Sequence, residues 1–261
     1  MTVSIGVSMK DSDLLKFSAD IGEIMLSSGA ETHRVEDTLE RLLSVGAPRE
    51  PETFVTTTGI FICIKNYQGD PFTMVRRIKN RGTNLEKLIA ANALSRDFTS
   101  GKVNLKEAVE RLEEIKNIKS FKPYLVVLSD GLVSGGFAIM LGSSITDGIC
   151  AAVIGMLLGI FIYFYSRSRS EVLFEGFIGG AIISVLAVAA VRFGIGTYVD
   201  GIIIGAAMPL VPGVAITTAI RDIMEGDYVS GVSRMMEAVL TAVAIAGGAG
   251  IALNMFGGGL L

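Results

Sequence analysis

The spacing of apolar residues divides the chain into two stretches. Up to about residue 122 they recur at helical or alternating intervals among charged positions; beyond it they run nearly unbroken in blocks of about 20. Leu14, Phe17, Ile21, Ile24 and Met25 follow Ser12 at three- and four-residue spacing, which predicts an amphipathic helix over 13–27 stopped at Gly29. Ser28 and Glu31 stand at capping-box spacing before Val35, Leu39, Leu42 and Leu43, so a second helix is expected over 30–45. Past Pro48 and Pro51 the texture becomes β-branched. Segments 53–65 and 72–78 flank the turn-forming run 66–71 and predict one β-hairpin. Thr83 with Glu86 forms another capping box before Leu85, Leu88 and Ile89, Gly101 supplies a stop, and Asn104 starts a helix carrying Leu105, Val109, Leu112 and Ile115. The predicted order is ααββαα.

From Pro123 onward, five segments are long enough for a hydrocarbon core of about 30 Å, which takes about 20 residues. They cover approximately 124–144, 147–165, 172–193, 199–220 and 232–255. The expected fold is an α-helical membrane protein, with a soluble α+β domain over 1–122 and a transmembrane domain over 123–261. Gly131/Gly135, Gly155/Gly159, Gly176/Gly180 and Gly201/Gly205 place small residues one turn apart in four successive spans, which permits close helix approach. Lys116, Lys119, Lys122, Arg167, Arg169, Arg221 and Arg234 flank alternate span ends, which puts the N-terminal domain in the cytoplasm and the C-terminus outside. The first 15 residues hold no apolar core of signal-peptide length, in keeping with a cytoplasmic domain in a bacterial inner membrane.

Composition narrows the function classes. The net charge of -3 is mixed in sign, so no electrostatic footprint for nucleic acid stands out. Cys63 and Cys150 are too few for a disulfide framework or a metal cluster and are expected as free thiols. Neither a phosphate loop nor a linear metal-ligand spacing is present, so no cofactor and no metal are expected.

Ionisable residues within membrane spans are costly and therefore functional suspects. Asp130, Glu175, Arg192 and Glu237 qualify. Glu175 and Arg192 lie near span ends, where snorkelling explains them; Asp130 and Glu237 lie further in and are the candidates for substrate or proton coupling. The fourth span carries Met208-Pro209-Leu210-Val211-Pro212-Gly213, and each proline removes a backbone donor. A simple kink is one outcome. A broken helix lining a transport path is the other, since freed backbone groups need protein or water around them. In the soluble domain His33 sits one turn from Asp37, with Thr56, Thr57 and Thr58 in the hairpin, a combination from which a hydrolase could be built. Glu31, Arg34, Glu36, Asp37, Glu40 and Arg41 are, however, spaced for i,i+3 and i,i+4 pairs, as on a solvated helix face.

The run from Ser28 to Thr38, with Glu31, His33, Arg34 and Glu36, resembles the N-terminal domain of the bacterial threonine/serine exporter family. Pro209 to Gly213, Arg221-Asp222, Gly226-Asp227, Gly231 and Arg234 are similar to that family's signature through the fourth and fifth spans. The resemblance implies a secondary exporter of small polar metabolites. Full-length members carry about twice the five spans expected here, so the chain looks like the larger half of a two-component type, similar to a subunit of a split dicarboxylate (succinate) exporter. The implied partner is a small membrane protein of four or five spans, and the implied cargo is threonine, serine or a dicarboxylate, driven by protons across the lipid bilayer. Alternatives are a membrane-anchored hydrolase and a non-conducting assembly or sensor subunit. Glu31, Arg34 and Glu36 are expected to meet the charged loop at Arg221, Asp222 and Asp227, with Arg34 opposite Asp222.

Overall fold

The computed structural model describes residues 11–45, 51–65, 71–79, 81–119, 121–166 and 172–258. It resolves into two compact units, residues 1–120 with 217–234 and residues 121–216 with 235–261. Segment 217–234, which takes in the expected loop 221–231 with the adjoining ends of two expected spans, groups with the N-terminal unit. Pro48, the turn at 66–70, Arg167 and Arg169 lie outside the described residues.

The first unit contains α1 (Asp11–Ser27), α2 (Thr32–Leu43), β1 (Glu52–Thr56), β2 (Gly59–Lys65), β3 (Pro71–Arg77), α3 (Leu85–Thr99) and α4 (Leu105–Lys116). Leu14, Phe17, Ile21 and Met25 of α1 and Val35, Leu39, Leu42 and Leu43 of α2 are buried in one core with Ile60, Ile62 and Ile64, the inward positions of β2. Each such side chain contributes about 1.5–3 kcal/mol when fully buried. Among the described residues the order is ααβββαα, one strand more than expected. The β-branched run 53–65 is two strands, because the chain turns at Thr57 and Thr58 and Thr56 pairs with Gly59. Ser28 caps nothing: α2 starts at Thr32 behind Glu31, which makes no side-chain cap bond. The cap of α3 is Asn84 rather than Thr83, its Oδ1 accepting from the Lys87 N–H at 3.0 Å, and Asn104 caps α4 in the same way.

The second unit is built from α5 (Pro123–Met140), α6 (Ile145–Ser166), α7 (Val172–Arg192), α8 (Val199–Ala207), a 3-10 turn (Met208–Leu210) and parts of α9 (Gly213–Met224) and α10 (Tyr228–Phe256). Among the described residues, four helices are long and apolar enough to cross a membrane: Pro123–Met140, Ile145–Tyr165, Leu173–Arg192 and Tyr228–Phe256. The expected fourth span is not one helix. It is the pair Val199–Leu210 and Gly213–Met224, bent by 58°, because Pro209 and Pro212 interrupt its hydrogen bonding. The chain is a multi-pass membrane protein of four spans, or five when the bent pair is one.

Small residues set the helix approaches. A Cβ on Gly131 would lie 3.0 Å from the Ala152 carbonyl and one on Gly135 2.8 Å from the Gly148 carbonyl, while Gly155 leaves room for Ser134. Gly205 faces Ala138 of α5, and Gly180 of α7 lies against the Ile245 carbonyl of α10. All four glycine pairs stand at such close approaches.

Candidate functional site

In the second unit the interruption at 208–212 borders a cavity. Pro209 lies in the 3-10 turn, Val211 is extended, and the Pro212 carbonyl accepts from the Ile216 N–H at 3.1 Å to begin α9. Beside this break is a cavity of about 240 Å³ whose walls include Asp130 of α5, Glu175 and Gly176 of α7, Pro209, Leu210 and Thr241 of α10. Asp130 can lie there because α6 presents Gly159; a Cβ at that position would run into Asp130 Oδ2. Among the described residues no lysine or arginine lines the cavity. The arrangement can accept hydrogen bonds from an ammonium group or hold a small cation by charge, and its size is below the roughly 300–1,000 Å³ of clefts for drug-sized ligands.

Asp130 and Pro209 are thus neighbours, while Pro212 and Gly213 are not among the lining residues. Glu237 is exposed and stands one turn from Thr241, whose hydroxyl donates to the Glu237 carbonyl at 2.8 Å. Glu175, read from the sequence as a snorkelling end residue, lines the cavity instead, and Arg192 is exposed, donating to the Gly258 carbonyl. One acid escaped the sequence reading. Asp147 is fully buried and accepts from Thr197 N at 2.6 Å and the Ser144 hydroxyl at 2.7 Å, which ties the start of α6 to the loop before α8. Its place at a span boundary, three residues after a capping Ser144, was the available signal.

In the first unit the charged residues of α2 converge on segment 217–234. Arg221 Nη1 lies 2.6 Å from Glu31 Oε1, and Arg34 Nη1 lies 3.4 Å from Glu31 Oε2. Both the N–H and the hydroxyl of Thr32 donate to Asp222 Oδ1 at 3.0 Å, and the same hydroxyl lies 2.8 Å from Asp227 Oδ2. Arg234 holds Asp222 Oδ2 through Nε at 3.0 Å and donates to the Ala30 carbonyl at 2.8 Å. The partner of Asp222 is therefore Arg234 and not Arg34, which stays on its own helix with Glu31. Glu36 accepts from the Val55 N–H at 2.6 Å and joins α2 to β1. Burial pushes the Glu31 carboxyl up, but the hydrogen bond from Arg221 and the charges of Arg34 and Arg221 outweigh it and hold the group below the usual range. For Glu36 burial prevails over the Val55 N–H, with Asp227 and Glu40 adding to it, so its carboxyl is raised.

His33, Asp222 and Asp227 each place one ligand atom within 4.8 Å of the others. No linear spacing could reveal this, since 189 residues separate His33 from Asp222 (222 − 33). Of the hairpin threonines, Thr56 donates its hydroxyl to the Gly59 carbonyl at 3.3 Å.

Residues 16–256 match the sequence profile of the threonine/serine exporter family, ThrE. The chain belongs to this family. Two relatives are named for the same activity. "Probable threonine/serine exporter" of Mycobacterium tuberculosis is 23% identical over 245 residues, covering 92% of this chain and 46% of its own length. "Threonine/serine exporter" of Corynebacterium glutamicum is 22% identical over 249 residues, covering 93% and 51%. The chain thus spans about half the length of these ThrE-family relatives. No solved structure matches it.

Proposed function

We propose that this chain is a subunit of a plasma-membrane secondary exporter for a small polar metabolite, not an enzyme, and that the metabolite passes the cavity beside the 208–212 break. The observation that carries this reading is the cavity itself: carboxylates from α5 and α7, a threonine hydroxyl from α10 and a proline-interrupted turn meet inside an otherwise apolar bundle. Such polar groups at membrane depth are costly unless they serve a path. Because the lining holds acids and no basic side chain, it complements an ammonium group or a proton. Threonine or serine fits it better than a dicarboxylate such as succinate, which enters only when the acids are protonated. An acid that trades a proton for a substrate ammonium links the two fluxes, which supports proton-driven export.

The relatives' double length supports a second chain, a small membrane protein of four or five spans, that completes the path. The test is amino-acid and dicarboxylate efflux from cells producing the parent chain, Asp130→Asn or Glu175→Gln at equal membrane abundance. Threonine or serine efflux should rise with the parent and fall to background with either variant. Efflux at the parent rate in both variants would show that the cavity is not the path, and unchanged efflux in cells lacking the chain would make it a non-conducting subunit.

A further inference from the structure

In the first unit a second site stands apart from the cavity and from any step of export. We propose that His33, Asp222 and Asp227 bind one divalent transition-metal cation, of the Zn2+ or Mn2+ class, that fastens the start of α2 to the turn between α9 and α10. The local fold brings the three together by separate means. His33 is the second residue of α2. Helix α9 ends in a Schellman motif: Gly226 takes a φ of +96°, its N–H returns to the Ile223 carbonyl at 3.2 Å, and the Asp227 N–H returns to the Asp222 carbonyl at 2.8 Å. That reversal folds Asp227 back toward Asp222, so two acids five positions apart face the same imidazole.

The donor set is one imidazole nitrogen and two carboxylate oxygens, all within 4.8 Å of one another. The ligand atoms of one tetrahedral Zn2+ lie about 3.4 Å apart, given metal–ligand distances near 2.1 Å, so side chains whose ligand atoms stand up to 4.8 Å apart close by as much as about 1.4 Å on binding, within the reach of side-chain rotation. Imidazole with carboxylates suits first-row divalent metals, whereas Mg2+ and Ca2+ prefer oxygen alone.

A second observation points to a ligand. His33 Nδ1 is buried, with no hydrogen-bond partner among the described residues, and a buried ring nitrogen is costly unless something satisfies it. Asp222 is fully buried and its orientation is set by neighbours, Thr32 at Oδ1 and Arg234 at Oδ2, as the surroundings of a metal site set its ligands. The single proton of the Thr32 hydroxyl, moreover, cannot serve Asp222 Oδ1 at 3.0 Å and Asp227 Oδ2 at 2.8 Å together. A cation between the acids relieves that conflict.

The chain has one histidine, so any imidazole signal is that of His33. In tag-free full-length chain labelled with 15N-histidine, one equivalent of Zn2+ should shift one ring nitrogen, and equilibrium dialysis should find one Zn2+ or Mn2+ per chain. His33→Ala and Asp227→Asn should each weaken binding at least about tenfold, while Asp37→Asn, exposed on the same helix, should leave it unchanged. An unshifted imidazole on Zn2+ addition overturns the assignment without recourse to variants. So does binding that survives both ligand substitutions at parent strength, or binding of Mg2+ and Ca2+ alone.

Discussion

Two ion pairs of the first unit, Arg221 with Glu31 and Arg234 with Asp222, differ in what they contribute. Arg221 is 66% exposed where it meets Glu31, whereas Arg234 is 13% exposed and Asp222 fully buried. An exposed pair is worth about 0–1 kcal/mol, but removing one member of a buried pair leaves a charge without compensation and costs about 3–5 kcal/mol. Arg234→Met should therefore lower the unfolding free energy several times more than Arg221→Met, as read by denaturant titration in detergent; equal effects would mean that Asp222 draws its support from elsewhere. A third cluster sets an alkaline limit. Burial lowers the Lys116 ammonium's pKa, but hydrogen bonds to Glu113 at 2.7 Å and Asp20 at 3.0 Å outweigh it and hold the group above the ordinary lysine value. A lysine so held binds its proton more tightly when folded, so its contribution is whole below about pH 10.4 and fades as pH rises through the raised value. Parent and Lys116→Met should differ in melting temperature at pH 8, and the gap should narrow as pH rises through the raised value; a gap that widens with pH would refute the sign. At this scale the sequence named most of the participants and the contact of Glu31 with Arg221, but set Arg34 rather than Arg234 opposite Asp222. Glu31, Arg34, Asp222 and Arg234 were legible as charges at helical spacing, but side-chain partners nearly 200 residues apart leave no periodic trace, and His33 read as a solvated-face residue for the same reason.

At the scale of elements, hydrophobic period predicted both helical pairs of the N-terminal unit and the long apolar helices to within a few residues, while capping chemistry placed the start of α4 at Asn104 but not those of α2 and α3. They failed where a composition suits two structures. Thr56, Thr57 and Thr58 read as continuous strand because β-branched residues favour it, yet the two-residue turn before Gly59 splits that run and adds a strand. The small-residue pairs were legible as close approaches, but not which helix each would meet: Gly155 and Gly159 face α5, and Gly176 and Gly180 face α10. Gly248 of α10 returns the approach against the Phe177 carbonyl of α7. Gly248→Val should therefore separate α7 from α10, disturb the cavity wall at Gly176 and Thr241, and abolish export. Gly250→Ala, where an added Cβ meets nothing within 4 Å, should be silent. Monodispersity in detergent and efflux together check this pair, and an active, monodisperse Gly248→Val protein would remove the close approach from the account.

For the whole molecule, the segment 217–234 decides how the bent pair is to be counted. It packs within the same compact unit as residues 11–119, and a polar unit of that kind occupies one side of a bilayer. The chain leaves that unit at α5 and rejoins it at Thr217, so it crosses an even number of times in between. With α5, α6 and α7 as three crossings, the expected fourth is 199–216. At about 1.5 Å per residue those 18 positions (216 − 199 + 1) span about 27 Å, close to the hydrocarbon thickness. The expectation is then that α10, from Met235, crosses a fifth time and that the C-terminus labels from the side opposite the N-terminal unit. On that expectation the proline break is the interior of a span rather than the tip of a re-entrant loop, which is where a transport path needs irregular backbone. Single cysteines at Lys119, Gly142, Glu225 and Gly258, in a chain with Cys63 and Cys150 replaced by serine, test this directly. An impermeant thiol reagent added to intact cells should label positions 142 and 258 and spare 119 and 225. If 225 and 258 were labelled alike, α10 would not cross; if 119 and 225 fell on opposite sides, residues 199–216 would not cross and the segment 217–234 would have to part from the N-terminal unit in the membrane.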